Sequence, residues 1–219
     1  MGEVNLINQI FQNLNLDDLL QCKTILDSII NREYVKRDDE VRSKSAKDFV
    51  HYQDIFLEPT SVEYGAISSE LVSLGLKQNG DHPVTQWLTL TGQDYRWESS
   101  SGHATVKHPV DFTKCPGMHK LMQDINVAYN VDLNSCLVAY YKKGAVKARL
   151  HQDDEEAMDQ TQPMFCVSLG AQRSVEFCHN GNDVRPKTQL KIYPIDGSLY
   201  IMKPGCQKYF SHKVPVKYN

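Results

Sequence analysis

The sequence predicts a mainly β domain with accessory helices, an α+β fold, preceded by an N-terminal helical appendage. Three observations carry that expectation. Past residue 84, short runs rich in Val, Ile, Leu, Tyr and Phe recur roughly every 8–12 residues between Gly, Pro and Asp breaks, the texture of a sandwich or barrel. Residues 4–34 instead place apolar side chains at three- and four-residue steps, the spacing of amphipathic helices. Between the two textures lies a charged stretch, REYVKRDDEVRSKSAKD over 32–48. The domain boundary is therefore expected near residue 45, with 1–45 as a helical hairpin and charged linker and 46–219 as the main domain.

The elements follow in chain order. Val4, Ile7, Ile10, Phe11 and Leu14 line one short helix. Leu19, Cys22, Ile25, Leu26, Ile29 and Ile30 line a second, after a break at Asn15 and Asp17. Asp17 and Asp18 suit the second helix's first turn, where carboxylates meet the positive end of the dipole. Helices this short are marginal alone, so residues 4–30 are expected to dock on the main domain or to self-associate. VTQWLTLTG (84–92) reads as a strand closed by Gly. A helix over 116–130 opens at Pro116 and shows Met118, Leu121, Met122, Ile125 and Val127 as its apolar face. SCLVAYY (135–141) and AVKARLH (145–151) read as a strand pair across a Lys142-Lys143-Gly144 turn, and MFCVSLG (164–170) and SVEFCH (174–179) as the next pair. QLKIYPI (189–195), SLYIMK (198–203) after an Asp196-Gly197 turn, and KYFSHKV (208–214) complete the series.

Composition excludes several classes. At 219 residues, 41% hydrophobic and 23% charged, the chain is long enough to bury a core and too apolar for disorder. No apolar run approaches the ~18 residues of a membrane-spanning helix, and no basic segment followed by an apolar block marks a signal peptide. The six cysteines show no CxxC and read as free thiols in a reducing intracellular compartment, cytoplasm or nucleus. A net charge of -3 supplies no global attraction for nucleic acid, so binding of that kind must rest on a local patch.

The constellation that carries chemistry is His151-Gln152-Asp153, ending one predicted strand, with His212 on a later one. Two imidazoles and one carboxylate are the donor set of the facial triad at non-haem Fe(II) sites. Three protein ligands on one face leave the other positions of an octahedron open for a bidentate co-substrate and O2. Taken alone the set is weak, because an H-x-D and a distant His arise by chance in a chain with 8 histidines.

The surrounding string is more specific. Residues 134–155 read NSCLVAYYKKGAVKARLHQDDE; PMFCVSLGAQR follows over 163–173, then DGSLYIMKPGCQKYFSHKVP over 196–215. In order, spacing and strand context, about residues 84–215 resemble the AlkB family of Fe(II)/2-oxoglutarate-dependent dioxygenases. The stretch 202–212 is most similar to the AlkB domains of plant RNA-virus replicases and retroelement polyproteins. The resemblance implies a double-stranded β-helix, or jelly roll, with Fe(II) held by His151, Asp153 and His212. It implies 2-oxoglutarate and O2 as co-substrates, and oxidative demethylation of N-alkylated bases in DNA or RNA. The target base must leave its stack to reach such a centre, which favours single-stranded nucleic acid as partner.

Two departures bear on that expectation. Ala139 stands where the family has Asn, two residues before Tyr141. The family's 2-oxoglutarate-binding arginines come after the distal His, and no arginine follows His212. The expectation is thus a C-terminally truncated domain, a rebuilt co-substrate site, or a catalytically impaired module that binds nucleic acid. An oxygenase of the same fold acting on protein is the remaining alternative.

Strand alternation places Arg149 on the face of His151. Arg149 with Tyr141 is accordingly the candidate for a rebuilt 2-oxoglutarate site, since a guanidinium fork matches a carboxylate. The alternative is a bulge that turns Arg149 to solvent. Asp154 and Glu155 extend the motif to HQDDE, an acidic pair that the family keeps near its base pocket; a solvated acidic loop is the plain alternative. Tyr95 and Trp97 lie where the family carries its nucleotide-recognition lid and are candidates to stack on a base, with core packing as the alternative for Trp97. The Ser/Gly run 99–102 suits the tip of such a lid. Lys142, Lys143, Lys147 and Arg149 form a local basic cluster suited to phosphates. Arg173 is expected to brace a loop.

Overall fold

The structure, a computed structural model, describes residues 40–219 except 78–79, 99–103, 143, 182–185 and 218–219, together with Lys23, Leu26, Ser28, Ile29 and Glu33, all five helical. The chain divides between Lys44 and Ser45 into two compact units. The helix expected over 4–14, most of the second one and the self-association surface they would form lie outside the described residues. All that follows concerns the second unit.

Its elements run α1 (Ala46–Phe49), β1 (Val50–Gln53), α2 (Val62–Ser73), β2 (Val84–Thr89), β3 (Tyr95–Glu98), β4 (Ala104–Lys107) and β5 (Val110–Asp111). A 3-10 turn at Phe112–Lys114 leads into α3 (Pro116–Tyr129). Then come β6 (Ser135–Tyr140), β7 (Ala148–His151), β8 (Met164–Val167), β9 (Val175–His179), β10 (Thr188–Ile192), β11 (Leu199–Met202), α4 (Cys206–Tyr209) and β12 (Phe210–Val214).

The strands are near where periodicity puts them, but the expected hairpins do not form. β6 pairs with β2 rather than β7. β7 pairs with β12, and β8 with β11. Among the described residues, the sheet orders are β1-β11-β8, β10-β9-β12-β7, β5-β2-β6 and the ribbon β3-β4. The turn signals mark places where the chain leaves one sheet for another, not two-residue hairpin loops. That crossing pattern is the wiring of a jelly roll, and the fold is an α+β jelly roll.

Two apolar clusters hold the unit. One gathers Val50, Val175, Phe177, Met202, Cys206 and Phe210 beneath the four-stranded sheet. The other joins Leu57, Ile67, Leu88, Phe112, Cys115, Met118 and Met122 between α2, β2 and α3. Glu70 of α2 fastens this second layer, because its carboxylate accepts from the backbone N–H groups of Gly117 (2.5 Å) and Met118 (2.9 Å). Those donors have no partner inside α3, and a carboxylate suits the positive end of its dipole. α3 ends at Asn130 in the left-handed conformation (φ 51). Met118, Met122 and Ile125 form its buried face as expected, but Val127 is exposed. Nine residues on from Met118 is half a turn round the helix, so Val127 belongs to the opposite face.

Candidate metal centre

His151 ends β7 and His212 lies in the middle of β12, where the two are direct cross-strand partners. Side chains opposite each other in an antiparallel pair project from the same face, and the two imidazole rings are 4.4 Å apart. β9 flanks β12 on its other side and sets Phe177 opposite His212, with ring centroids 5.8 Å apart. Phe177 is fully buried, so it is a fixed wall behind the second imidazole. Asp153, two residues past β7, bends back over both rings. Its Oδ1 is 3.5 Å from His151 Nε2 and its Oδ2 is 3.3 Å from His212 Nε2. The three ligand atoms lie within 4.8 Å of one another, the sole such grouping among the described residues.

Electrostatics favour a cation there. The Nδ1–H of His151 donates to the Arg149 carbonyl oxygen at 2.7 Å. A carbonyl only accepts, so this bond sets the tautomer and leaves Nε2 to ligate. Burial alone would raise the Asp153 carboxyl; hydrogen bonds from both imidazoles outweigh it and hold the group well below the usual carboxylate range. Burial would lower His151, yet the Asp153 carboxylate keeps it above the ordinary histidine value. His212 is 6% exposed; its Nδ1 is buried without a hydrogen-bond partner among the described residues, so packing against Phe177 and the Asp153 contact at Nε2 orient that ring. Cys166 and Cys206, whose thiols burial pushes up to about 12, are not among the side chains whose ligand atoms converge. Two imidazole nitrogens and an ionised carboxylate converging without thiolate fit Fe(II).

The other expected residues divide. Arg149 is exposed, and it does not follow His151 inward. The register steps from His212↔His151 to Val214↔Ala148, two residues on β12 against three on β7. This bulge breaks the alternation on which the Arg149 expectation stood. Tyr141 is half-buried and burial pushes its hydroxyl up to about 12. The guanidinium of Arg173 lies 5.4 Å from the Tyr141 ring centre and donates to the carbonyls of Val146 (2.8 Å) and Pro215 (2.6 Å). Arg173 thus ties the loop before β7 to the segment after β12.

On the other side of Asp153, Glu155 turns inward and Asp154 is exposed. Tyr95 donates to Glu155 Oε1 at 2.8 Å. Glu155 Oε2 is buried without a hydrogen-bond partner among the described residues, and burial raises the carboxyl. Tyr95 is itself 6% exposed and packed 5.3 Å from Trp87, so it meets the site through its hydroxyl rather than as an open stacking face. Trp97, next but one on the same strand, is 43% exposed and offers the open ring. In the basic cluster, Lys147 pairs with Asp81 at 3.3 Å, while Lys142 and Arg149 are exposed. Lys143 and the run 99–102 lie outside the described residues.

Two residues at the centre carry no mark in the sequence. The side-chain oxygen of Gln207 accepts from the Asp153 backbone N–H at 3.1 Å. Asn180, just past β9, donates to the Gln207 carbonyl at 2.8 Å. Each is an ordinary polar residue in a loop or short helix, far from the H-x-D step in sequence.

Against known proteins, a family model described as the 2OG-Fe(II) oxygenase superfamily matches residues 65–219. No curated protein matches the chain. Among solved structures it is similar to a plant AlkB homologue described as "The structure of OsALKBH1". The two are 14% identical with a TM-score of 0.48, over 76% of this chain and 84% of that one, a likeness too distant to carry weight.

Proposed function

Because the chain belongs to the 2OG-Fe(II) oxygenase superfamily, we propose that it demethylates N-alkylated bases in nucleic acid, with His151, Asp153 and His212 as its iron ligands. The family makes this an oxygenase that uses Fe(II), 2-oxoglutarate and O2. The observation that carries the nucleobase reading is the half-buried Glu155 beside Asp153, whose buried Oε2 has no hydrogen-bond partner among the described residues, with the exposed Trp97 ring on the strand that holds it.

The residues divide the work as follows. Fe(II), 2-oxoglutarate and O2, when bound, supply the oxidation that hydroxylates a substrate C–H. His151 presents Nε2 because Arg149 O holds its other nitrogen. His212 is held against Phe177. Asp153 remains ionised and so is ready as the anionic ligand. Tyr141 offers a neutral hydroxyl donor toward a 2-oxoglutarate carboxylate.

Glu155 suits a substrate with N–H donors. Tyr95 occupies Oε1, and Oε2 is left to accept from an amino or imino edge, such as a nucleobase presents. Trp97 supplies a face for that base or its neighbour, a contact worth about 1–3 kcal/mol. Exposed Lys142 and Arg149 contact phosphate, so affinity is modest and falls with salt. A methyl group hydroxylated on its carbon while bonded to nitrogen leaves as formaldehyde.

The test is turnover with Fe(II), 2-oxoglutarate and a single-stranded oligonucleotide bearing one N-methylated base. The expected result is succinate and formaldehyde in equal amounts with loss of the methyl group. Succinate formation with every methyl group retained, across both DNA and RNA oligonucleotides, rejects the nucleobase reading and leaves an oxygenase with another substrate.

A further inference from the structure

The loop that carries Asp153 is tied to α4, which leads into the strand that carries His212, by the side chains of Gln152 and Gln207. Gln207 lies in α4, five residues before His212, and is 5% exposed. Its Oε1 accepts from the backbone N–H of Asp153 at 3.1 Å. Its Nε2 faces two thioethers, Met202 Sδ at 3.5 Å and Met164 Sδ at 3.6 Å. Those surroundings settle which way the amide points. Sulfur accepts weakly and donates nothing, so the NH2 end belongs there; the flipped amide would set N–H against the N–H of Asp153.

The main chain of Gln207 is engaged too. Its carbonyl accepts from the side chains of Gln152 and, at 2.8 Å, Asn180. Asn180 also donates to Lys208 O at 3.1 Å, and its backbone N–H to Tyr209 O at 2.8 Å. Both residues that follow His151 are thus anchored on Gln207, one through its backbone and one through its side chain. Asp153 lies outside any strand, so no ladder hydrogen bond fixes it.

We propose that Gln207 is a positioning residue of the metal centre: its amide oxygen fixes the Asp153 backbone so that the carboxylate stands between the two imidazoles. A ligand on an unanchored loop spreads over many orientations, and binding must then collect them. Partners that orient a ligand typically contribute about 10–100-fold in metal affinity. A brace that served only folding would change thermal stability and leave the bound metal's spectrum alone.

This inference rests on the reading of His151, Asp153 and His212 as metal ligands, and the experiment separates the two. Wild type, Gln207→Met and Gln207→Glu are titrated with Co(II) alone, reading affinity and the visible d–d band, and each apo-protein is melted. Gln207→Met keeps the length and the packing on Met164 and Met202 but deletes the oxygen. Gln207→Glu keeps an oxygen opposite the Asp153 N–H. The expected result is about tenfold or weaker Co(II) binding and an altered band in Gln207→Met, with Gln207→Glu close to wild type. Wild-type affinity and an unchanged band in Gln207→Met overturn the proposal, as does an equal loss in both variants. If Gln207→Met fails to fold, Gln207→Glu decides alone: near-wild-type binding supports the proposal and a tenfold loss overturns it. Absence of Co(II) binding in wild type rejects the metal reading and this inference with it.

Discussion

The β7–β12 pair and the β3–β4 ribbon carry the two halves of the site, and they are built differently. β7 and β12 lie in a four-stranded sheet, with His212 buried against Phe177 and Asp153 anchored from α4. β3 and β4 pair with each other in a two-stranded ribbon whose best-held residue is Tyr95, bonded to Glu155 and packed on Trp87. Two-stranded ribbons have little stability of their own. The difference teaches where order is needed. Ligand geometry tolerates little displacement, so it is placed on a sheet with a packed floor. A substrate must enter and leave, and Trp97, the aromatic contact proposed for it, sits on the ribbon, the element with the least stability of its own.

The largest way to break this contrast is at Asp153. Asp153→Ala leaves two imidazoles without the carboxylate that joins them, and metal binding in a Co(II) titration is expected to fall below detection with the fold retained. Next comes the floor. Phe177→Ala removes a fully buried ring beneath His212 and is expected to cost about 3–5 kcal/mol in chemical denaturation. Trp97→Ala is the matched test on the ribbon. Stability should stay within about 0.5 kcal/mol, while affinity for a single-stranded methylated oligonucleotide falls by about 1–3 kcal/mol. Equal destabilisation by Phe177→Ala and Trp97→Ala would show that the two halves are not built differently.

Two smaller predictions sharpen it. Tyr95→Phe strips Glu155 of its donor and is expected to cost about 1.5–3 kcal/mol, with the ribbon losing hydrogen-exchange protection before the four-stranded sheet does. The smallest effect lies on the outer face of that sheet, where Glu176 meets Lys191 at 2.9 Å and Lys213 at 3.2 Å. Burial alone would raise Glu176, but the two ammonium groups outweigh it and its folded value is lowered. Its stabilisation is therefore complete above the ordinary glutamate value of 4.5 and is lost as pH falls through the lowered one. Both lysines are partly solvated, so Glu176→Gln should cost about 0.5–1 kcal/mol at pH 7 and nothing near pH 2, read from denaturation at both.

The H-x-D step was legible because its two candidate ligands lie two positions apart at a strand end, and eight of the strands were legible because their apolar runs are short and cleanly bounded. Pairing was not, since a jelly roll joins strands far apart in sequence, and turn residues look alike whether the chain reverses or crosses. α2 was missed because it shows no clean stripe: Val62 and Val72 are exposed and Ile67 alone is buried. Arg149 was misplaced because alternation assumes a regular pleat, and the bulge opposite His212–Val214 removes that regularity. Tyr95 and Glu155 were singled out separately, yet the hydrogen bond that joins them spans 60 positions. Gln207 had no signal, because a glutamine's orientation depends on two methionines and an N–H that only the fold assembles.

The central claim is that one Fe(II) is held by His151, Asp153 and His212. Crystals grown with Mn(II) as a redox-stable stand-in, with data collected at the manganese edge, test it most directly. The account predicts a single strong anomalous peak about 2.0–2.3 Å from His151 Nε2, His212 Nε2 and an Asp153 oxygen. A fully occupied peak elsewhere, or none between these three side chains at saturating Mn(II), would contradict it.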